Sequence, residues 1–383
     1  MDPRRGRRAS VLMQLLLPPR ILFGRGALAD ALPHLRALGS RLILVHSASA
    51  RAAPPLADDL RALGCTVQTC LAKGEPTLPV LEDALHTLRP CNADAVIAMG
   101  GGSALDLGKA LAALLPGAHP ALHHLEVVGG GHPLDTAPLP FAAIPTTAGT
   151  GAEATKNAVI GVPQAQRKVS LRDDRMIARL AVVDPALTED VPPATRLASG
   201  LDAITQVIEP YLSLNASPLT DALCRDAIPR GLGALRQLMQ APNPQAFDDM
   251  AHVSLSGGIA LANAGLGAVH GLAGVLGGRT GAAHGVLCGR LLVPVLRTNF
   301  TAIDTPRRAE VLAWIASAFP ENSDPLTALQ TWIDAQGLPR LADLGLSARD
   351  HARVAADSLA SSSMRTNPVA LSGEQLRKIL SQS

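Results

Sequence analysis

The sequence predicts an α/β domain built on a parallel sheet, followed by an all-helical domain. Three observations lead there. The chain has 383 residues, beyond the length at which one hydrophobic core usually divides. Up to about residue 190, short apolar runs alternate with amphipathic stretches, the pattern of βαβ units. After that the strand-like runs thin out and helical periodicity continues to the C-terminus. The implied domains are a basic N-terminal tail at 1–17, the α/β domain at 18–190 and the helical domain at 191–383.

In order along the chain, RLILVHS (41–47) is a buried strand with a polar end, and a helix runs from about Pro54 to Leu63, where Gly64 stops it. CTVQTCL (65–71) is a second strand. PTLPVLEDALHTLRP (76–90) is a helix bracketed by prolines. ADAVIAMGGGS (93–103) reads as strand then glycine turn, and ALDLGKALAALL as the helix that follows. PLPFAAIPTTAGTGAEAT (138–155) contributes one more strand and a second glycine-rich loop, and RLAVVDPALT (179–188) the last strand. VPPATRLASGLDAITQVIEPYLS then opens the helical series. The Gly/Ala-rich run 254–289 predicts closely packed helices.

Composition narrows the function classes. With aromatics at 2% and a net charge of +2, the chain has neither the field nor the stacking surface for nucleic acid. Five scattered cysteines lack zinc-ribbon spacing and form no disulfide framework, which points to a reduced, cytoplasmic chain. The basic start followed by VLMQLLL has no small-residue cleavage site, and the reading is a tail rather than a signal peptide. No run is long enough and apolar enough to span a bilayer without polar breaks.

Two segments carry chemistry. MGGGSALD (99–106) sets three glycines between a buried strand and a helix, so the backbone can approach a ligand whose phosphate faces the helix N-terminus. It departs from G-x-G-x-x-G at Leu105. PTTAGTGAE (145–153) adds the hydroxyls of Thr146, Thr147 and Thr150, suited to a pyrophosphate or a nicotinamide amide. In the second half, Asp202 and Gln206 lie one turn apart on a helix, and His270 and His284 each sit beside glycine in very apolar surroundings. Two histidines and an aspartate form a His₂-carboxylate set for zinc or iron(II), provided the fold brings them together.

The order GGGS-x-x-D, PTTAGT-x-x-E, KVSL, DP-x-LT, SG-x-DA and GAVHGL with a downstream HG resembles the iron-containing alcohol dehydrogenase family, which includes glycerol dehydrogenases and maleylacetate reductases. The resemblance runs from about Pro18 to the C-terminal tail. It implies a Rossmann-like dinucleotide domain and a helical domain in the dehydroquinate synthase-like arrangement, with the active site between them. By motif, Gly101, Gly102, Ser103 and Asp106 would hold the pyrophosphate and ribose side of NAD(P). Thr146, Thr147 and Thr150 would contact phosphate and nicotinamide, Lys168 the ribose, and Leu187 the cofactor face. The metal positions fall on Asp202, Gln206, His270 and His284, with Asp202, Gln206 and His270 as the catalytic set. The implied activity is NAD(P)-dependent alcohol dehydrogenation, or aldehyde or ketone reduction, on a small substrate. The metal, iron or zinc, would act as Lewis acid on the substrate oxygen. A homodimer without nucleic-acid or membrane partners is expected.

Three departures from the family pattern bear on that reading. Gln206 stands where metal-dependent members have histidine, and a neutral amide is a weak ligand beside imidazole. Gly274 stands where many members carry a second histidine assigned to proton relay. Ser47, after His46, stands where NAD-preferring relatives have an aspartate that repels the 2′-phosphate, so NADP is expected to be tolerated. The alternatives are a metal-independent reductase of the maleylacetate reductase kind, or a degenerate nucleotide-binding member without turnover. Asp202 argues for a cation, because an isolated buried carboxylate is costly. A lyase of the dehydroquinate synthase style would need a more basic pocket than the sequence offers.

Overall fold

The computed structural model describes residues 14–383. The first part consists of β1 (Ile21–Phe23), α1 (Ala27–Arg36), β2 (Arg41–Ser47), α2 (Ala53–Ala62), β3 (Thr66–Ala72), α3 (Leu78–Leu88), β4 (Ala95–Gly100), α4 (Gly102–Leu114), a single turn α5 (Ala121–His124), β5 (Phe141–Pro145), the hairpin β6 (Asn157–Val162) and β7 (Arg167–Arg172), and β8 (Leu180–Val183). Six strands form one parallel sheet in the order β1-β8-β5-β4-β2-β3. Its central strands are apolar on both faces, as a sheet covered by helices requires. The strand period of two divides them. Leu42, Leu44, Ile97 and Met99 face one way, onto α1 and α2. Ile43, Val45, Val96 and Ala98 face the other, onto α3 and α4.

The chain leaves β2 toward β3 but leaves β4 toward β5, on the opposite side. The carboxyl ends of β2 and β4 therefore flank a switch point, where open parallel sheets form a ligand crevice. Ser47 ends β2, Gly100 ends β4, and Thr146 follows β5.

The second part holds α6 (Pro193–Leu212), α7 (Pro218–Gln240), α8 (Pro244–Ala264), α9 (Ala268–Thr280), α10 (His284–Phe300), α11 (Pro306–Ala318), α12 (Pro325–Ala335), α13 (His351–Leu359) and α14 (Gly373–Gln382). Four of these open on a polar cap followed by proline: Ser217–Pro218, Asn243–Pro244, Thr305–Pro306 and Asp324–Pro325. Each cap side chain accepts from a backbone N–H of the first turn, and the proline occupies a place that needs no donor. One apolar core joins α6, α7, α8, α10, α11 and α12, and a second joins α9, α10, α13 and α14.

The last sheet strand ends at Val183 and the first long helix opens at Pro193, on either side of residue 190. The hairpin β6–β7 lies within a stretch where the sequence reading places no strand. Its alternating burial shows why it forms: Ala158, Ile160 and Val162 point inward, as do Val169 and Leu171. Residues 1–13, most of the basic tail expected at 1–17, lie outside the described residues. Just beyond them, Leu16 N–H donates to Asn263 Oδ1 at 2.6 Å and its carbonyl accepts from Asn263 Nδ2 at 2.7 Å, tying the chain start to α8. All five cysteines are free. Among the described residues no single helix is long and apolar enough to cross a membrane; α8 and α9 would pass together only as a pair bent by 100°.

Candidate active site

Asp202 lies in the middle of α6, packed between α7, α8 and α10, and is 2% exposed. Its Oδ1 has no hydrogen-bond partner. His270, in the first turn of α9, brings Nε2 to 3.4 Å from that oxygen, and His284, which opens α10, brings its Nε2 to 3.8 Å. One turn along α10, Cys288 Sγ lies 3.8 Å from His270 Nε2 and 3.4 Å from His284 Nε2. Four donor atoms thus surround one point. Asp202, His270 and Cys288 are buried, and His284 is the partly exposed member that opens the cluster to the cleft.

Glu209, two turns past Asp202 on α6, orients the cluster from behind. Its Oε1 accepts from Val269 N–H at 2.7 Å, and its Oε2 accepts from His270 Nδ1 at 2.6 Å. That bond leaves Nε2 free for the centre, the arrangement of a carboxylate–histidine–metal relay. Burial works to raise the Asp202 pKa, but His284 and His270 outweigh it and hold the carboxylate below its usual range. Burial likewise opposes the His270 imidazolium, yet Cys288, Asp202 and Glu209 keep its pKa well above the ordinary value. Burial pushes the Cys288 thiol up to about 12.

An ionised oxygen buried without a donor, ringed by two imidazole nitrogens and a sulfur, is the donor set of a divalent cation. The residues fit such a group. Gln206 lies one turn past Asp202 on α6 and is buried. Its amide Nε2 donates to Gly149 O at 2.8 Å, so it fastens the second glycine loop to α6. Of the four positions expected to hold metal, the fold brings together Asp202, His270 and His284, and it adds Cys288.

The expected nucleotide residues gather at the carboxyl edge of the sheet. Gly101 is the residue before α4, with no side chain capping the helix, and Gly102 and Ser103 begin the helix. Thr146 N–H donates to Gly100 O at 2.9 Å. The two glycine loops touch: a Cβ on Gly102 would stand 2.8 Å from Thr150 Oγ1, and one on Gly101 3.3 Å from Thr147 Oγ1. Ser47 Oγ is 3.2 Å from Ser49 Oγ and borders Gly100. Lys168, on β7, pairs with Glu75 and lies against Gly277 of α9. Leu187 packs at the edge of the apolar layer formed with α1 and α2.

Asp106 is turned elsewhere. Its Oδ2 accepts from Val159 N–H at 3.1 Å, and burial pushes its pKa up to about 7 against the opposing charge of Lys109. Lys109 is a residue the sequence reading does not single out. Its buried amine reaches Ala152 O, Thr155 O, Thr155 Oγ1 and Asn157 O within 3.0 Å, strapping the end of the second glycine loop to α4. Neither Cys288 nor Glu209 was singled out either, though both stand at helical spacing from residues that were.

A parallel nucleotide-type sheet facing a helical domain with a buried carboxylate–imidazole cluster defines a two-domain, dinucleotide-dependent oxidoreductase. The chain belongs to the iron-containing alcohol dehydrogenase family: the profile "Iron-containing alcohol dehydrogenase" matches residues 18–185, and "Fe-containing alcohol dehydrogenase family, C-terminal" matches 196–383. It is 36% identical over 304 residues to Long-chain-alcohol dehydrogenase 1 of Geobacillus thermodenitrificans (strain NG80-2), covering 78% of this chain and 76% of that one. It is 30% identical over 368 residues to the probable alcohol dehydrogenase EutG of Escherichia coli (strain K12), covering 94% and 92%. Among solved structures, a 1,3-propanediol oxidoreductase superposes with a TM-score of 0.87 at 29% identity, covering 97% of this chain and 99% of that chain. Sulfoacetaldehyde reductase from Bifidobacterium kashiwanohense, solved with NAD+, superposes at 0.83 with 25% identity, covering 97% and 98%. The protein is an NAD(P)-dependent oxidoreductase acting on CH–OH groups, and its family uses iron or another divalent metal.

Proposed function

We propose that the cleft between the two domains interconverts a small, moderately apolar alcohol with its aldehyde or ketone. The observation that carries this reading is the buried, unpartnered Asp202 Oδ1, ringed by His270 and His284. When bound, a divalent cation supplies Lewis acidity at the substrate oxygen. The protein's own residues do the rest. Asp202, His270 and His284 hold the cation, and Glu209 fixes the tautomer of His270. The uncapped N–H groups at the start of α4 receive the pyrophosphate, and Thr146, Thr147 and Thr150 direct the nicotinamide toward the cluster. Lys168 reaches the ribose from β7, with Glu75 keeping it in place.

No side chain at position 274 relays protons. A Cβ there would meet open space, so a water chain or a ribose hydroxyl of the bound cofactor would serve as the proton route. The substrate side is walled by the Ala, Gly, Leu and Val residues of α8 and α9. NADPH is accepted at least as well as NADH, and the working form is a cytoplasmic homodimer.

The test is oxidation of NADH and of NADPH with a panel of short aldehydes and ketones. It is run on protein purified without chelator, then after exhaustive chelation and metal repletion. Turnover that falls on chelation and returns with metal supports the reading. Full turnover in demonstrably metal-free protein overturns it, as does no turnover with any member of the panel.

A further inference from the structure

We propose that Cys288 is a direct metal ligand, so that this chain holds its cation in an Asp202–His270–His284–Cys288 set that favours zinc over iron(II). The inference rests on the metal-assisted reading above and goes further by naming the fourth donor.

Geometry comes first. Bonds of about 2.0–2.1 Å from zinc to nitrogen or oxygen, and about 2.3 Å to sulfur, set the edges of a tetrahedral site at roughly 3.3–3.6 Å. The four resolved edges here measure 3.4 Å and 3.8 Å from Asp202 Oδ1 to the two imidazoles, and 3.8 Å and 3.4 Å from Cys288 Sγ to the same two. The donors already stand at near-coordination spacing, with room for a cation at their centre. Cys288 is fully buried, and its sulfur faces both ring nitrogens.

The placement of Gln206 supplies the second argument. Its amide nitrogen is committed to Gly149 O at 2.8 Å. The place filled by imidazole in metal-dependent relatives is thus occupied by a neutral side chain whose nitrogen is engaged elsewhere and whose amide oxygen is a weak ligand beside imidazole. Asp202, His270 and His284 are the three protein ligands a catalytic zinc site needs; Cys288 would be a fourth, and the substrate oxygen would enter as a fifth donor. The sulfur approaches from α10 instead of α6 and replaces an imidazole with a softer donor. Soft thiolate with imidazole suits zinc, and it disfavours iron(II) relative to an all-N/O set. On binding, the thiol proton leaves to buffer and the sulfur coordinates as thiolate.

The experiment uses the full chain loaded with cobalt(II) or zinc. Cobalt-loaded wild type should show an intense near-ultraviolet sulfur-to-cobalt charge-transfer band, absent in Cys288→Ser and retained in Gln206→Ala. Competition against a chromogenic chelator should show zinc affinity falling at least about a hundredfold in Cys288→Ser, beyond the 10–100-fold typical of outer-shell partners. It should fall only a few-fold in Gln206→Ala. Should Cys288→Ser fail to fold, X-ray absorption at the zinc edge of the wild-type protein decides, with one sulfur expected at about 2.3 Å. An all-N/O zinc shell, or a cobalt spectrum without the charge-transfer band, overturns the proposal.

The two readings fail separately. Metal-dependent turnover through a sulfur-free site keeps the oxidoreductase reading and sinks the Cys288 assignment. A sulfur-bound metal in protein that turns over no aldehyde does the reverse.

Discussion

At the scale of single residues, the proposed cation site turns on what touches His270. Glu209 accepts from His270 Nδ1 at 2.6 Å and from Val269 N–H at 2.7 Å, so it fixes both the ring and the helix start that carries it. Glu209→Gln should lower cation affinity about 10–100-fold while leaving the fold intact. Chelator competition together with circular dichroism checks this, and unchanged affinity would show that the ring needs no such support. Glu153 offers a test of stability. It is 1% exposed, its Oε1 has no partner, and burial raises its pKa from 4.5 to about 7. Between those values the folded state binds more protons than the unfolded chain, so stability falls as pH rises through the window and levels off above it. Glu153→Gln removes that slope. It should be more stable than wild type at pH 8, by up to about 3 kcal/mol, with the gap closing toward pH 4.5. Urea titrations at both pH values measure it, and a gap that does not vary with pH would refute it.

The residue scale also shows what a sequence can and cannot reveal. Asp202, His270 and His284 could be named from motif order, because the residues beside them form recognisable short words. Cys288 could not. It lies one turn after His284, the i, i+4 spacing that a helical metal site favours, but the same spacing between Asp202 and Gln206 drew attention to α6 rather than to α10. Only the crossing of α6, α9 and α10 selects which i, i+4 pair faces the centre.

At the scale of elements, contacts between loop and helix hold the cleft in shape. Gly151, at φ 56°, sits directly on Gly258 of α8: a Cβ on Gly258 would stand 2.2 Å from Gly151 O. Both partners are backbone, so neither can swing away. Gly258→Ala should cost about 3 kcal/mol and weaken dinucleotide affinity, because the displaced loop carries Thr146, Thr147 and Thr150. Thermal melting and cofactor titration check it, and a variant unchanged in both would show that the contact relaxes freely. The strands and helices of the sheet were legible because their periods are clean: β2 and β4 are short apolar runs closed by glycine or a polar end. The hairpin β6–β7 was not. Its strands carry Asn157, Gly161, Lys168 and Ser170 among the apolar residues, which dilutes the alternation until burial reveals it. The strap from Lys109 was equally hidden, since its four acceptors are 43 to 48 residues away in sequence.

At the scale of the whole molecule, cofactor choice follows from where the sheet reverses direction. The switch point between β2 and β4 places Ser47 beside Gly100, at the mouth of the crevice that receives the nucleotide. In such sheets the residue at the end of the strand next to the glycine loop meets the adenosine ribose, and a carboxylate there bonds the 2′-hydroxyl and repels a 2′-phosphate. Ser47 brings no charge, and its hydroxyl lies 3.2 Å from that of Ser49, so this corner presents neutral donors that a phosphate can use. NADPH should therefore serve at least as well as NADH in kcat/KM at saturating aldehyde. Ser47→Asp should reverse the order, chiefly through a KM for NADPH raised tenfold or more, equivalent to about 1.4 kcal/mol, with kcat nearly constant. The split between KM and kcat separates lost recognition from damage to the fold, which would lower kcat with both cofactors. A wild-type preference of tenfold or more for NADH would mean that another part of the crevice excludes the phosphate, and the argument from the end of β2 would fail.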